Sequence, residues 1–329
     1  MPRPPSRTAP TARLSDGALA PLDASVRMYP GRHVQIGSNR IHVRTTPAGS
    51  DSAEAAVFVH GLGGSAHNWT DFAGVLRDRL AVDSLDLPGH GRTGPAARND
   101  YTLNAHADIV ISYLEHKVDE TGGPVHLAGN SMGGAISILV TARRPELVRT
   151  LTLISPAVPD LRLRLYPLKH DPRMAALAVP FLGMAALRKM AALPPEVRVK
   201  ATIDVCFADP SRYPAERLRE SVEELKVRNT MPWAGRGFLR SMRGLARWQM
   251  LGGRAGWNTL RSVSVPTLVV WGDTDRLVAP DLAPYVAAAI PGSRLLVLDH
   301  IGHTAMMEDP ITTARAVLGL LDDVASLRS

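Results

Sequence analysis

The chain has 329 residues, of which 45% are hydrophobic and 21% are charged. These proportions are close to those of ordinary globular proteins, so they exclude a fibrous protein and a wholly disordered one. The single cysteine, Cys206, excludes an intrachain disulfide framework and favours a reducing compartment. The length allows either one large domain or one domain with a long insertion.

The net charge of +7 is concentrated in one part of the chain. Residues 159–262 contain nineteen Lys and Arg but nine Asp and Glu, so the remainder is net negative. The basic residues are scattered among Leu, Met and Ala without interleaved aromatics or a zinc-finger pattern, which argues against a nucleic-acid partner. Solvated helix faces are the favoured interpretation, and a positive rim that attracts an anionic or amphiphilic substrate is the alternative.

The first thirty residues predict a disordered extension. They contain Pro and Arg but no continuous apolar stretch of signal-peptide length. We therefore expect residues 1–30 to lack packed structure and the protein to be cytoplasmic. The segments RHVQIG and RIHVRTT lie before and after a turn and predict an antiparallel hairpin.

Six short apolar runs after the hairpin predict strands. They are rich in Val and Leu and often continuous, as in a parallel sheet that is covered on both faces. Helical patterns between them supply the crossover connections that parallel pairing requires. The runs are 55–59, 81–85, 125–128, 151–154, 267–271 and 294–298, and the helical patterns are 69–76, 103–116, 135–143, 281–289 and 311–321. We predict an α/β fold with a mostly parallel central sheet and helices on both faces.

A long interval interrupts this alternation. Residues 158–263 show helical periodicity, several Pro breaks and no convincing strand, which predicts a helical cap inserted into a core of residues 31–157 and 264–329. Within it, the apolar stretch 175–193 contains Pro180, Arg188 and Lys189, so it is a weak candidate for a membrane span. We expect apolar helices over a pocket there, and contact with a lipid surface is the less favoured alternative.

The segment VHLAGNSMGGA at 125–135 predicts a strand, a Gly-x-Ser-x-Gly turn and a helix. Such a tight turn presents the Ser131 hydroxyl above the sheet, and crowding explains the glycines at Gly129 and Gly133. The amino terminus of the following helix directs free backbone N–H groups toward developing negative charge. Ser131 is therefore the candidate nucleophile.

A glycine loop, HGLGGS at 60–65, ends the first predicted parallel strand. A tetrahedral oxyanion at Ser131 needs two hydrogen-bond donors, and the backbone N–H groups of Leu62 and Met132 are the candidates. A loop that only reverses the chain and a phosphate-binding loop are the alternatives. No Lys-Ser or Lys-Thr pair follows the loop, which argues against a Walker-type phosphate site.

These motifs resemble the α/β-hydrolase fold family over roughly residues 34–325. The HGLGGS loop resembles the family's HGxGxS oxyanion loop, and LDLPGHGRT at 85–93 resembles its DxPGxGxS loop. The second loop is structural in the family, so the resemblance gives Asp86 and His90 no catalytic role. It implies a serine hydrolase with a Ser-Asp-His triad and a helical cap.

The same resemblance implies the acid and the base. WGDTDRLVAP at 271–280 resembles the family's WGxxDxxxP segment, which assigns the acid to Asp275, with Asp273 and more remotely Asp160 as alternatives. GHTAMMEDP at 302–310 resembles its GHxxxxExP segment, which assigns the base to His303. The chain order Ser, Asp, His is the order of this fold.

The expected activity is cleavage of an ester or a thioester through an acyl-enzyme on Ser131. The Leu, Met and Ala content of the insertion predicts an apolar acyl pocket, and its basic residues could assist an anionic leaving part. Three cap tryptophans either line that pocket or, in the favoured interpretation, pack in the core. They are Trp233, Trp248 and Trp257. Cys206 is interpreted as a small packed thiol.

Two other functions stay open. The elbow GNSMGG is similar to that of enzymes that hydrolyse carbon–carbon bonds in dienone acids from aromatic ring cleavage, although Thr304 stands where those enzymes commonly have Trp. A non-catalytic ligand-binding member of the fold is the second alternative, and the retention of all three triad positions argues against it.

The expected partner is a small hydrophobic or amphiphilic substrate. The chemistry needs no cofactor, and the sequence has neither a metal-ligand spacing nor a dinucleotide fingerprint. Contact with a membrane surface is a disfavoured alternative, and the oligomeric state is left open.

Overall fold

The computed structural model describes residues 9–23, 25–160, 166 and 182–326. Its centre is an eight-stranded sheet. In chain order, the strands are β1 Gly31–Ile36, β2 Asn39–Thr46, β3 Glu54–Val59, β4 Leu80–Leu85, β5 Val125–Asn130, β6 Val148–Ile154, β7 Thr267–Gly272 and β8 Arg294–Leu298. Their order in the sheet is β1-β2-β4-β3-β5-β6-β7-β8. The hairpin strands β1 and β2 pair antiparallel, as do β2 and β4, and all other neighbours pair in parallel. The predicted hairpin, six strands and α/β class are confirmed.

Helices cover both faces of the sheet. The core helices are α1 Thr70–Leu76, α2 Leu103–Thr121, α3 Met132–Arg143, α9 Ala283–Ala289, α10 Ala305–Glu308 and α11 Pro310–Ser326. The helices α2, α3 and α9 bury apolar residues against one face, and α1 and α11 bury theirs against the other. Because both faces are covered, the central strands β5 and β7 are buried along their whole length. Their carboxyl ends lie at one edge of the sheet, where ligands of open α/β sheets bind.

The described residues between β6 and β7 include five helices. They are α4 Leu182–Ala191, α5 Pro195–Cys206, α6 Ala215–Asn229, α7 Ala234–Leu251 and α8 Gly253–Arg261. We call these five helices the cap. Of the apolar stretch 175–193, residues 175–181 lie outside the described part, and α4 accounts for most of the rest. The exact limits of the cap stay a prediction.

Residues 9–23 differ from the expected disordered extension. Thr11 forms a parallel bridge with Leu295 in the edge strand β8, and the N–H of Ala12 donates to the Leu295 carbonyl at 2.8 Å. Further along, the Ser15 hydroxyl donates to Asp322 on α11 at 2.6 Å. The amino-terminal segment can pair with β8 because this edge strand has backbone N–H and C=O groups that no other strand uses. Residues 1–8 lie outside the described part.

In the portion of the chain that the structure describes, no helix combines the length and the apolar character needed to cross a bilayer. The cytoplasmic location stays a prediction.

Candidate active site

Ser131 lies in a strained turn between β5 and α3. Its φ of +55° and ψ of −116° form a conformation that L-residues rarely adopt, and such strain persists only where surrounding structure enforces it. Here the Ser131 N–H donates to the Ile154 carbonyl at 3.0 Å, and the Ser131 carbonyl accepts from Ala157 N–H at 2.9 Å. The two bonds to the end of β6 hold the serine at the carboxyl edge of the sheet.

The glycines beside Ser131 have no space for a side chain. A Cβ on Gly129 would lie 2.4 Å from the Gly133 carbonyl oxygen, and a Cβ on Gly133 would lie 2.1 Å from the Val59 oxygen. Both distances are far below van der Waals contact with backbone atoms that cannot move aside. The close approach of α3 to β3 and β5 is therefore the physical reason for the Gly-x-Ser-x-Gly pattern.

Asp275 and His303 meet at the same edge of the sheet. His303 Nδ1 lies 2.8 Å from Asp275 Oδ2, and both side chains are buried. The other carboxylate oxygen, Oδ1, accepts the N–H groups of Leu277 and Val278 at 2.8 and 2.9 Å. Three hydrogen bonds thus fix the orientation of this carboxylate. Asp273, the nearer alternative from the sequence, is exposed.

Asn130, the residue before Ser131, connects the two halves of the site. Its buried side-chain amide donates to the carbonyls of Ile154 and His303, each at 3.1 Å. The turn that carries the serine is thereby bonded directly to the loop that carries the histidine. The sequence offered a buried polar residue at the end of a strand as the only signal of this role.

The predicted oxyanion loop lies against the nucleophile turn. A Cβ added to Gly61 would be 3.1 Å from the Ser131 Cβ. Met132 is the first residue of α3, so its N–H has no acceptor within the helix. Leu62 packs against Leu239 and Met242 of the cap helix α7. The two proposed oxyanion donors thus belong to chain segments that flank Ser131.

His60 determines the orientation of one of these segments, a role that the sequence did not suggest. Its Nε2 accepts the Leu87 N–H at 3.1 Å, so its Nδ1 carries the proton and donates to the Gly61 carbonyl at 2.7 Å. Burial lowers the pKa of His60, which keeps the ring neutral. Because the Gly61 carbonyl and the Leu62 N–H belong to one planar peptide, this bond also orients the Leu62 donor.

Asp86 organises the loop below the site. Its buried carboxylate accepts from the Nδ1 of His42 at 2.6 Å and from the N–H groups of Ala66 and Arg92 at 2.7 and 2.9 Å. Burial alone would raise the pKa of Asp86, but the His42 hydrogen bond and the neighbouring charges lower it. The carboxylate connects β2 with the two loops at 60–65 and 86–93.

The cap lies directly over the oxyanion loop. A Cβ on Gly63 would be 3.1 Å from the Phe238 ring, and Arg228 donates to the Gly63 carbonyl at 2.6 Å. Burial lowers the pKa of Arg228. The cap tryptophans also bond to chain segments outside the five cap helices, since their indole N–H groups donate to main-chain carbonyls at 3.0 to 3.1 Å. The pairs are Trp233 with Thr93, Trp248 with Ala157 and Trp257 with Pro159.

A second set of contacts joins α6 to the core through ion pairs. Arg217 is buried, forms a bidentate contact with Asp71 and also bonds Glu220 at 2.6 Å. One turn further, Glu224 bonds Arg44 and Arg92 at 3.1 and 2.6 Å. These acidic and basic residues lie on one face of α6.

The end of α5 contacts the histidine loop. The Cys206 carbonyl accepts the His303 N–H at 2.6 Å, and Glu308 accepts from Gly302 at 2.8 Å and from Asp209 at 2.8 Å. Burial, followed by the negative charges of Asp275 and Glu308, raises the pKa of the Cys206 thiol to about 12. The thiol is therefore protonated and unreactive. Among the described residues, no group of three or more His, Cys, Asp or Glu could hold a metal ion.

Comparison with known proteins gives one family and several relatives. Residues 56–310 match the sequence model of the α/β hydrolase fold. Two relatives are named dihydrolipoyllysine-residue acetyltransferase component of the acetoin cleaving system. The Cupriavidus necator protein is 27% identical over 82% of this chain and the Pseudomonas putida protein 30% over 79%. The chain spans only 63% and 61% of their lengths.

A third relative matches along nearly its whole length. The 2-hydroxy-6-oxononadienedioate/2-hydroxy-6-oxononatrienedioate hydrolase of Klebsiella pneumoniae is 26% identical over 88% of this chain and 94% of its own. Among solved structures, a bacterial membrane phospholipase A described as a virulence factor is similar. It is 26% identical, with a TM-score of 0.70, and the match covers 91% of this chain and 87% of that one.

Proposed function

Since the chain belongs to the α/β-hydrolase fold family, we propose that it is a serine hydrolase that cleaves an ester or a thioester with a hydrophobic acyl group. The observation that carries the proposal is the buried 2.8 Å contact between His303 Nδ1 and Asp275 Oδ2, beside the strained turn of Ser131. A buried His-Asp pair next to a strained serine is the arrangement that nucleophilic acyl transfer requires.

The proposed mechanism follows from the hydrogen bonds. Asp275 accepts the Nδ1 proton of His303, which leaves Nε2 free to take the proton of the Ser131 hydroxyl. The serine oxygen attacks the carbonyl carbon, and the N–H groups of Leu62 and Met132 stabilise the oxyanion. His303 then protonates the leaving alcohol or thiol. Water, activated by His303, hydrolyses the acyl-enzyme and restores Ser131.

The cap supports a hydrophobic acyl group. Leu62 of the oxyanion loop, Leu239 and Met242 of α7, and Leu187 of α4 form one apolar cluster above the candidate site. Such a lining favours alkyl chains over charged acyl groups. The similar solved structure is named a phospholipase A, whose name denotes an ester hydrolase, and this supports the same bond type.

A carbon–carbon bond hydrolase is the second candidate. The Klebsiella pneumoniae relative is named as a hydrolase of a dienedioate and a trienedioate. Its match with this chain extends over 94% of the relative's length. Thr304 after the candidate base, where that class of enzyme commonly has Trp, argues for the ester or thioester instead.

Covalent labelling with a fluorophosphonate tests the nucleophile. We expect the wild-type protein to be labelled and Ser131→Ala to remain unlabelled, with Ser112→Ala, at a half-buried position of α2, labelled as the wild type. Labelling of Ser131→Ala would refute the role of Ser131. A protein that is not labelled in any form would favour a ligand-binding role.

A substrate panel tests the bond. Esters and thioesters of increasing acyl length, lactones and dienone acids are compared with wild type and Ser131→Ala. We expect the highest kcat/KM for an ester or a thioester with a long acyl chain. A higher value for dienone acids would select the second candidate function, with the same nucleophile.

A further inference from the structure

The outer face of α7 carries a row of arginines. Arg236, Arg240, Arg243 and Arg247 recur at intervals of four, three and four residues, which places them on one face of a helix, and all four are exposed. The helices α7 and α8 together contain six Arg and no Asp or Glu. This face therefore presents a local positive charge.

Part of this charge has no carboxylate partner among the residues that the structure describes. Arg236, Arg247 and Arg254 form no ion pair with any residue of the described part of the chain, and Arg240 donates to the neutral Asn99 carbonyl at 3.0 Å. The basic residue Arg217 of α6, in contrast, is paired with two carboxylates of the protein. Arg236 and Arg247 of α7, with Arg254 of α8, are thus available to an external anion.

Apolar side chains lie next to the arginine row. Met250 and Leu251, at the carboxyl end of α7, are 54% and 70% exposed. Met184 and Met190 are exposed on α4, which packs along α7. Helices that lie in a membrane interface combine basic residues with exposed apolar side chains in this way. The face has both the charge and the apolar residues that a lipid surface requires.

The opposite face of α7 covers the candidate active site. Leu239 and Met242 pack near Leu62 of the oxyanion loop, and Phe238 lies against Gly63. A surface bound to the outer face of α7 would consequently lie one helix diameter from the site. This position suits a substrate that is delivered from that surface.

We propose that the outer face of α7, with the exposed methionines of α4, binds the surface of an anionic lipid bilayer. The guanidinium groups bind headgroup phosphates, and Leu251 and Met250 enter the interface. A nucleic acid fits less well, because single strands stack on exposed aromatic rings and the indoles of Trp233 and Trp248 are bonded inward to the core.

Vesicle sedimentation tests the proposal without any need for turnover, so its outcome is separate from that of the proposed hydrolase function. Wild type is mixed with phosphatidylcholine vesicles and with vesicles that also contain about 30% phosphatidylglycerol, at low and high salt. We expect binding to the anionic vesicles alone, and weaker binding as salt increases. Equal binding to both vesicle types would overturn the proposal.

Two matched double variants locate the surface. R236Q/R247Q removes two arginines from the row, and R40Q/R77Q removes two exposed arginines from the core with the same change in net charge. Two lost charges at about 1 kcal/mol each predict about 30-fold weaker vesicle binding for R236Q/R247Q. R40Q/R77Q is expected to bind as wild type, and equal losses in the two variants would contradict the assignment to α7.

The apolar contribution and the competing partner are tested separately. Leu251→Gln, at an exposed position that cannot affect the packed core, is expected to weaken vesicle binding about tenfold. Unchanged binding of Leu251→Gln would refute insertion into the interface. Binding of a fluorescent oligonucleotide to the wild type is measured in the same way. If the wild type binds the oligonucleotide more tightly than it binds anionic vesicles, and R236Q/R247Q weakens that binding, the partner of this face is a nucleic acid and not a lipid surface.

Discussion

Asp275 and Asp273 are two residues apart but have different surroundings. Asp275 is buried and holds His303, whereas Asp273 is exposed. A carboxylate can fix the tautomer of an imidazole only if it accepts the ring N–H. Substitutions of Asp275 and Asp273 can therefore be compared to determine which carboxylate orients His303.

Substitution of His303, Asp275 and Asp273 should test the proposed roles. We expect His303→Ala to lower kcat by about 10³-fold or more, and Asp275→Asn to be strongly damaging because the amide favours the wrong tautomer of His303. Asp273→Asn should have a mild effect. Steady-state kinetics on a short-chain ester measure all three. If Asp273→Asn lowers kcat more than Asp275→Asn does, the acid is Asp273.

In the proposed mechanism, His60 acts through its hydrogen bond to the Gly61 peptide rather than by contact with substrate. In His60→Asn the shorter side chain loses the bond to the Gly61 carbonyl, so the Leu62 donor is less well ordered. We expect kcat to fall about tenfold or more with little change in KM, because an oxyanion donor acts in the transition state. His33→Asn, at an exposed position, is the control. A change in KM alone would make His60 a substrate-binding determinant.

At the scale of elements, buried histidines lie between the core and the cap. The ring of His90 lies 5.3 Å from that of His60 and 6.0 Å from that of His106, and His106 Nε2 lies 3.2 Å from the Ser241 hydroxyl of α7. Burial lowers the pKa of His106 from 6.5 to about 4 and lowers the pKa of His90 well below its ordinary value. The contact between α2 and α7 therefore depends on neutral imidazoles.

This burial predicts a loss of stability in mild acid. An unfolded histidine binds a proton below about 6.5, whereas His106 in the folded protein binds it only near 4, so unfolding takes up protons between these values. Stability should fall by about 3 kcal/mol as the pH decreases through this window. Urea unfolding at a series of pH values measures it. His106→Gln should flatten the dependence, and an unchanged slope in that variant would contradict the assignment.

The ion pairs of α6 are the other element-scale contact. Arg217→Ala leaves Asp71 and Glu220 without their buried partner, which should lower the free energy of unfolding by about 3 to 5 kcal/mol. Arg219, two residues further along α6, is exposed. Arg219→Ala should therefore change the free energy of unfolding by less than about 1 kcal/mol. Urea denaturation compares the two variants. Equal effects would show that burial of Arg217 is unimportant for the attachment of α6.

For the whole molecule, the architecture was predictable because each central strand is a short, continuous apolar run. The sequence also located Ser131, since the Gly-x-Ser-x-Gly turn is a local requirement of backbone packing. The bonds of Asn130 were not predictable, because its acceptor at His303 is 173 residues away and is a backbone carbonyl, which any residue carries. The role of His60 was hidden because both of its partners, the Gly61 carbonyl and the Leu87 N–H, are backbone groups.

The arrangement of the cap was also beyond sequence reasoning. Helical periodicity predicted its helices, and packing was the favoured interpretation of the three tryptophans, but the sequence did not identify their partners. The indole N–H groups of Trp248 and Trp257 donate to the carbonyls of Ala157 and Pro159, just after β6. Such contacts depend on the relative position of two layers, which local patterns do not contain.

The pairing of the amino-terminal segment with β8 covers part of the outer edge of the sheet. With Pro10 to Ala12 in place, the backbone of Leu295 is occupied on its outer side. Removal of residues 1–15 would expose a strand edge that a second molecule could extend, whereas removal of residues 1–8 would not. We expect light scattering to detect self-association of the longer deletion alone. Residues 9–15, which belong to no sequence motif, would then prevent association of the molecules through the edge of β8.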